Sequence, residues 1–527
     1  MTLRKKASSL KPQDLGLAKN LANAQAKHKK YADASSTFSR VLELDGTDPT
    51  AISKRAFCRQ QICEWSEWDL DLLRARDAVL LQLRQGSVPS MTPFDTLSLP
   101  LSSRLLMAVA RMNAKKDAAE EGEPMQPRSP SRKLGCVIES KKNKGCRLRI
   151  GYVSSDFREH PTGFIMHHLL QAHSREAVEV YVYSINPNNG SPMRDKIEQA
   201  AEHFIDINPM TPKQAAERIR ADGIDVLINL NGYTLTARNG IFAHQAAPIQ
   251  VLYMGYAATM GSKFIQYVIS DRASVPPEFA GLNDEKAAHL PNSYLPAVHH
   301  LTHPNDSAAA IMTRAPPLRS KYNLPEDGFI YCSFNTVYKN DPVTFTTWMQ
   351  ILSRVPGSVL WMQTSSEDTS ANLAAQLAEA GVNPSRLVLL GWLDENEHLS
   401  AKSLCQLFLD TPNYNAHVTG TDALYAGIPV LSLPVEKMGS RVGASLLHAV
   451  GGGLPEQLLR TSYRAYEDRA VAIASEAPDK LKEVLRTVPE SPLMALDNYV
   501  HHLESAFHLM WELHAAGMPP QPLQVFA

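Results

Sequence analysis

From Arg147 onward the chain alternates short apolar runs with helix-length stretches, and it does so in two separate series. No other feature of the sequence restricts the fold as much. The first series holds "LRIGYVSSDF", "VEVYVYSI", "DVLINLNGY", "IQVLYMGY" and "YVIS", separated by stretches such as "SPMRDKIEQAAEHF" and "TPKQAAERIRADG". Short runs rich in β-branched and aromatic residues, bounded by turn formers, read as strands. Strand and helix taking turns builds a parallel sheet through right-handed crossovers. After a Pro- and His-rich crossing near residues 290 to 320 the pattern restarts with "FIYCSFN", "SVLWMQT", "RLVLLG", "LFLDT" and "IPVLSLP". Two series predict an α/β protein of two Rossmann-like domains, with a ligand in the cleft between them.

The remaining regions frame these two domains. Residues 1 to 112 read as a helical region, in which Leu21, Ala22, Ala34, Phe38 and Val41 keep the spacing of one tetratricopeptide-like helix pair. An ordinary helical bundle is the other reading. Residues 113 to 146 lose aromatics and gather charge, Pro, Ser and Gly, as a linker or surface insertion does. The first α/β domain is expected over 147 to 300 and the second over 301 to 485, with a closing helix and tail over 486 to 527. The basic start "MTLRKKASSLKPQ" suits a solvated terminus or a transit peptide.

Composition excludes several function classes. Lys plus Arg (53) nearly cancel Asp plus Glu (54), so no global charge points to nucleic acid or an acidic membrane. No apolar run is long enough to span a bilayer. Cys58, Cys63, Cys136, Cys146, Cys332 and Cys405 are scattered without metal spacing or a paired framework. That distribution fits a reducing, cytoplasmic compartment and no zinc site.

Three loops that follow expected strands carry candidate chemistry. "SSDFREHPTG" holds His160, which the following proline keeps out of helical backbone, so that it projects from the loop. "SFNTVYKNDP" holds Thr336 and Lys339, and a lysine there can neutralise a phosphate as a point charge. "NAHVTGTDALYAG" places His417, Thr419, Gly420, Thr421 and Asp422 at a helix start, where unpaired N–H groups and the helix dipole favour an anion. Two readings of that loop stand on the residues alone: an anion cradle, or a cap in which Thr421 or Asp422 satisfies the helix N–H groups. No phosphate-binding G-x-x-x-x-G-K-[ST] or G-x-G-x-x-G word precedes these helices.

Taken together and in order, "LRIGYVSSDFREHPTG", "DGIDVLINLNGYTLTARNGIFAHQAAPIQVLYMGY", "SFNTVYK", "RVPGSVLW", "FLDTPNYNAHVTGTDALYAGIPVL" and "SRVGASLL" resemble the catalytic region of the O-linked N-acetylglucosamine transferase family, which includes the SPINDLY-type O-fucosyltransferases. The resemblance implies a GT-B glycosyltransferase, inverting and independent of metal or other cofactor. It implies a nucleotide-sugar donor, UDP-GlcNAc in the main branch, and Ser or Thr hydroxyls of proteins as acceptors. By the same resemblance His160 lies near acceptor and sugar, and Lys339 contacts the donor diphosphate. His398 packs against the uracil, His417, Thr419 and Gly420 cradle the diphosphate, and Asp422 holds the ribose.

This chain departs from the family pattern at named positions. Val418 stands for the first threonine of an H-T-T-G word, Thr336 for a glutamine near the diphosphate, and Ala257 and Ala258 for a Pro-Gly pair. Glu395 and Ala401 stand for basic residues beside the nucleotide, and Tyr414 for a cysteine near the N-acetyl pocket. Because His417 and Asp422 are kept, the N-acetylglucosamine branch is expected rather than a GDP-fucose-using one. The departures keep open a third reading, a degenerate transferase that serves as a binding scaffold.

Overall fold

The structure, a computed structural model, describes residues 13–122, 125 and 147–527, apart from 313–316, 365, 392, 394 and 477–478. The basic start and most of the expected linker therefore lie outside the described residues. Among the described residues, the helices α1 (Leu15–Lys27), α2 (Tyr31–Leu44), α3 (Pro49–Gln61), α4 (Trp68–Arg84) and α5 (Ser103–Glu121) precede the first sheet. Their starts follow from local chemistry: Asp14, Asp48 and Ser102 each accept a backbone N–H of the first turn, and Pro49 opens α3. Ala18, Ala22, Ala34, Phe38, Val41, Ala51 and Cys58 form a small core of their own. Ala56, Cys63, Trp65, Ala75 and Val79 instead join one continuous core with both α/β domains.

Helix α5 continues past the expected boundary at 112, so residues 113–121 are helical rather than linker. The reason is tertiary. Ala114 is buried, the Tyr233 hydroxyl donates to Ala110 O, and the His244 ring lies 3.0 Å from a Glu121 carboxylate oxygen. Packing against the first domain overrides a polar composition that has little apolar surface of its own.

That domain is built on a parallel sheet of β1 (Leu148–Ser154), β2 (Val178–Ser184), β3 (His203–Asp206), β4 (Val226–Asn229), β5 (Ile249–Leu252), β6 (Tyr267–Asp271) and β7 (Lys286–Leu290). The crossovers include α6 (Pro161–Ala172), α7 (Pro192–Ala200) and α8 (Pro212–Ala221). Strands β3 and β7 escape the sequence pattern for different reasons. The residues "HFID" of β3 are only partly covered and trail a helical stretch, whereas "KAAHL" of β7 lacks β-branched residues.

The second sheet holds β8 (Ile330–Ser333), β9 (Val359–Gln363), β10 (Leu387–Leu390), β11 (Leu407–Leu409) and β12 (Val430–Leu431), again all parallel. With it run α9 (Pro342–Arg354), α10 (Glu367–Glu379), α11 (Glu395–Lys402), α12 (Val418–Tyr425) and α13 (Val442–Val450). Cys332 and Cys405 are joined as a disulfide, which corrects the expectation of unpaired cysteines. Strands β8 and β11 are neighbours, with Phe408 opposite Cys332, so the sheet order brings together two residues 73 positions apart. Spacing along the chain carries no trace of that pairing.

The closing helix α14 (Leu496–Ala515) returns to the first domain, where it packs on α6, β5 and β7. Strand β13 (Leu523–Gln524) then pairs with the outer edge of β7, giving a first-sheet order of β13-β7-β6-β5-β4-β1-β2-β3. Buried polar contacts fix this return: Glu504 lies 2.8 Å from the His173 ring, and the Tyr499 hydroxyl donates to Tyr294 O at 2.6 Å. Across the two domains, Ser445 Oγ lies 2.8 Å from Ser293 Oγ and donates to Asp271 at 2.7 Å. Among the described residues no helix is long and apolar enough to cross a membrane.

Trp511 on α14 is fully buried. Its replacement by alanine is expected to cost about 3–5 kcal/mol, the usual range for a deleted core tryptophan. Urea unfolding followed by circular dichroism checks this, and an unchanged midpoint would mean that the returning helix is not part of the cooperative core.

Candidate active site

In each sheet the strand order reverses at one place, and loops leaving neighbouring strands on either side of such a point diverge to open a crevice at their carboxyl ends. In the first sheet that place lies between β1 and β4, and in the second between β8 and β11. The candidate loops follow β1, β8 and β11. Asn231, just after β4, holds the first pair of loops: its side chain accepts from Ser155 N at 2.9 Å and donates to Ser155 Oγ and Asp156. Asn335, just after β8, does the same for the second pair by donating to Asp410 and to Thr411 Oγ1 at 2.8 Å.

His160 precedes α6 in extended backbone, as its proline neighbour requires. Its Nδ1 accepts the N–H of Thr162 at 3.2 Å, and burial pushes its pKa below the ordinary imidazole value. A neutral ring whose Nδ1 accepts carries its proton on Nε2. His160 thus offers a hydrogen-bond donor rather than a basic lone pair. Gly163 allows this tight loop, because a Cβ there would stand 2.1 Å from Arg158 O.

Lys339 is buried. It ends the one-turn 3-10 helix Val337–Lys339, whose first carbonyl partner is Thr336 O. Its ammonium donates to Asn415 O at 2.7 Å and stands 4.2 Å from the centre of the Tyr414 ring. Burial lowers its pKa to about 8, with the Asp410 carboxylate opposing that shift. Asp410 in turn accepts from Thr411 N, Ala416 N and Ser432 Oγ, which wraps the loop after β11 around it.

The opening of α12 bears on the cap reading of the sequence. His417 is the N-cap, and no side chain caps the helix. Thr421 Oγ1 donates back to Val418 O instead, and Asp422 is engaged elsewhere. The cap reading is therefore overturned, and the helix start is open to an anion. His417 is neutral, its pKa lowered to about 3 by burial and by Lys339, and its Nδ1 lies 3.2 Å from Asn415 O. Gly420 has a packing role, since a Cβ would meet Leu446 Cδ1 at 3.0 Å.

Asp422 receives His299 Nε2 at 2.7 Å on one oxygen and His398 Nε2 at 2.9 Å on the other, with the Lys402 ammonium at 3.6 Å. These partners hold its carboxyl well below the usual range against the cost of burial. Lys402 also lies 2.7 Å from His398 Nε2 and 5.0 Å from the centre of the Phe334 ring.

A cavity of about 610 Å³ opens between the domains, within the range of small-molecule sites. Thr336, His398, Thr419 and Asp422 line it, together with Val418, Lys402, His299 and, from the first domain, Pro161 and Phe164. His160, Lys339, His417 and Gly420 stand behind that lining, in the same loops. Sequence reasoning missed His299, Lys402, Asn335, Asn415 and the structural part of Asp410. Asp410 left a signal in "LFLDTP", whereas His299 was hidden in a crossing read only as a connection. The side chain of Glu395 lies outside the described residues. Among the described residues no group of three or more His, Cys, Asp or Glu side chains is arranged to hold a metal ion.

Comparison with known proteins places the chain in a family. The profile of Glycosyl transferase family 41 matches residues 62–316 and 305–503. The probable UDP-N-acetylglucosamine–peptide N-acetylglucosaminyltransferase SEC of Arabidopsis thaliana is 36% identical over 88% of this chain and 47% of its own length. The UDP-N-acetylglucosamine–peptide N-acetylglucosaminyltransferase of Caenorhabditis elegans is 30% identical over 87% of this chain and 49% of its own. This chain thus spans about half the length of those relatives. A rice protein named as a probable SPINDLY enzyme is 31% identical over 71% of the chain. Among solved structures, a variant of the Thermobaculum terrenum O-GlcNAc transferase matches with a TM-score of 0.78 at 25% identity, covering 98% of this chain and 94% of that one. The order of the sheets, the cleft between them and the matched residues agree: the chain belongs to glycosyl transferase family 41.

Proposed function

We propose that this protein transfers N-acetylglucosamine from UDP-GlcNAc to Ser or Thr hydroxyls of protein acceptors, with inversion and without a metal. The observation that carries this reading is the buried Lys339 ammonium in the loop facing an uncapped helix start beside the interdomain cleft. A leaving nucleoside diphosphate gains negative charge as its bond to the sugar breaks. Preorganised N–H donors and an ammonium stabilise that charge most strongly where water is excluded. The names of the Arabidopsis and Caenorhabditis relatives support the same donor.

In this reading the acceptor hydroxyl oxygen bonds to the anomeric carbon from the face opposite the leaving group, and the bond from that carbon to the phosphate oxygen breaks. UDP departs against Lys339 and the first N–H groups of α12. The hydroxyl proton passes to a phosphate oxygen of the donor or to water. His160 is not its acceptor, because its neutral ring already uses Nδ1 to accept from Thr162. His160 instead donates through Nε2. Asp422, with His398 beside it in the cavity lining, meets the ribose and base end of the donor.

Incubating the purified chain separately with UDP-GlcNAc, UDP-glucose and GDP-fucose, and reading hydrolysis and protein modification by mass spectrometry, tests the donor. UDP-GlcNAc is expected to be the substrate used best; preference for GDP-fucose would favour the fucosyl branch, and absence of any turnover or nucleotide binding would favour a scaffold. Lys339→Met is expected to lower turnover by at least about 10²-fold, the scale of losing one preorganised oxyanion donor, with the fold intact by circular dichroism. Normal turnover in that variant would remove the diphosphate role. Turnover should also depend on pH: Lys339 is charged below its pKa of about 8, so activity is expected to fall as pH rises through that value. A profile flat to pH 10 would contradict a role for the protonated lysine.

Asp422→Ala is expected to weaken UDP binding by about 10- to 100-fold, the worth of hydrogen bonds to a charged group. Calorimetry with UDP measures it, and an unchanged affinity would sink the ribose assignment.

A further inference from the structure

The helical region reaches into the turn that carries Lys339. Gln60, the next-to-last residue of α3, is 2% exposed, and its Nε2 donates to Tyr338 O at 2.7 Å and to Asn340 O at 2.6 Å. These two carbonyls flank Lys339. Trp65 Nε1 donates to Gln60 Oε1 at 3.3 Å, and Cys63 Sγ donates to Val337 O at 3.5 Å. The amide orientation is set by its partners. An indole N–H can only donate and a backbone carbonyl can only accept, so the oxygen faces Trp65 and the NH₂ faces the turn.

A single 3-10 turn has poor hydrogen-bond geometry and little cooperativity of its own. Something outside it must set where its last side chain points. On one side, the Lys339 ammonium is fixed to Asn415 O; on the other, the backbone on both sides of Lys339 is fixed to the Gln60 amide. We propose that Gln60 is a positioning residue for Lys339: the helical region, through this one amide, sets the place of the ammonium that meets the donor diphosphate. Gln60 lies just ahead of the stretch that matches the family profile, which begins at residue 62. The inference rests on the transferase reading for its effect on turnover but not for its effect on the lysine itself.

Gln60 acts through position and not through charge. The charged or titratable groups that bear on the Lys339 ammonium are Asp410, His417 and Tyr414, all in or before the loop after β11. From the helical side the turn meets the neutral Gln60 amide and the Cys63 thiol, whose pKa burial raises, so that it stays protonated, while Asp95 and Tyr31 act on the neighbouring Tyr338. Without the amide, two buried carbonyls lose their donor and the turn relaxes toward water. A better-hydrated ammonium titrates at higher pH.

The test compares the full chain with Gln60→Met, which keeps the side chain's volume but has no N–H to donate. Trp65→Phe, which removes the indole N–H that orients the amide but keeps an aromatic ring against Phe345, serves as a second variant should the first fail to fold. Asn372→Ala is the control, because it removes a different contact to the helical region, the donation to Ile62 O. Two readouts are taken. Steady-state transfer from UDP-GlcNAc is expected to show kcat lowered about 10- to 100-fold in Gln60→Met, as for a misplaced catalytic group, with KM for the donor changed much less. Acetylation of Lys339 by acetic anhydride, followed by peptide mass spectrometry across pH, is expected to reach a faster plateau at high pH, with its midpoint about one unit above that of the unaltered chain. Trp65→Phe should move both in the same direction and Asn372→Ala neither. The same labelling profile in folded Gln60→Met as in the unaltered chain would overturn the proposal. If the unaltered chain shows no transfer at all, the transferase reading fails, while the labelling still decides what Gln60 does.

Discussion

One buried ammonium organises the second domain's face of the cleft. An unpaired charge away from water is costly, so Lys339 can stay protonated there only if its surroundings replace the lost hydration. Asn415 O, the Tyr414 ring and the nearby Asp410 do so. Each of these partners then needs a fixed position of its own. Asp410 is held by backbone N–H groups and Ser432, and Asn415 is held by donating to Thr411 O and accepting from Gly443 N. The loop after β11 is thus tied down by the needs of a residue after β8. An ammonium has three N–H donors, and a carbonyl takes one, which leaves the group suited to an anion.

Much of this was legible in the sequence, because the two βα series, their order and the loops that follow their strands are all local patterns. Period and turn chemistry identify "LRIGYVSSDF" or "LFLDT" without reference to the rest of the chain. What was not legible depends on contacts between distant residues. The pairing of Cys332 with Cys405 follows from the order of strands in a sheet, and the burial of Lys339 follows from Tyr414 and Asn415 folding over it. The two sequence readings of "HVTGTDALY" could not be separated locally, because a threonine or aspartate in a first turn is compatible with either. Only the positions of His299, His398 and Lys402 show that Asp422 is held by side chains and not by the helix start.

The two domains solve the same problem in the same way. Each has a crevice where strand order reverses, and in each an asparagine side chain just after a central strand binds the two loops on either side, Asn231 in the first and Asn335 in the second. Asn231 both accepts and donates, whereas Asn335 ties its loops through its two N–H donors alone. The helical region is a third participant. Its buried Cys63, Trp65 and Val79 are continuous with the core of the α/β domains, and helix α5 is held by Tyr233 and His244 of the first.

The return of α14 and β13 to the first sheet means that the chain passes between the two domains twice. Two bodies joined by one flexible strand can swivel about a point in any direction. Joined by two, they are held at two points. Ser445, bonded to Ser293 and Asp271 across the domain boundary, adds a third tie. Losing any one of these three ties would thus leave the domains still joined by the other two.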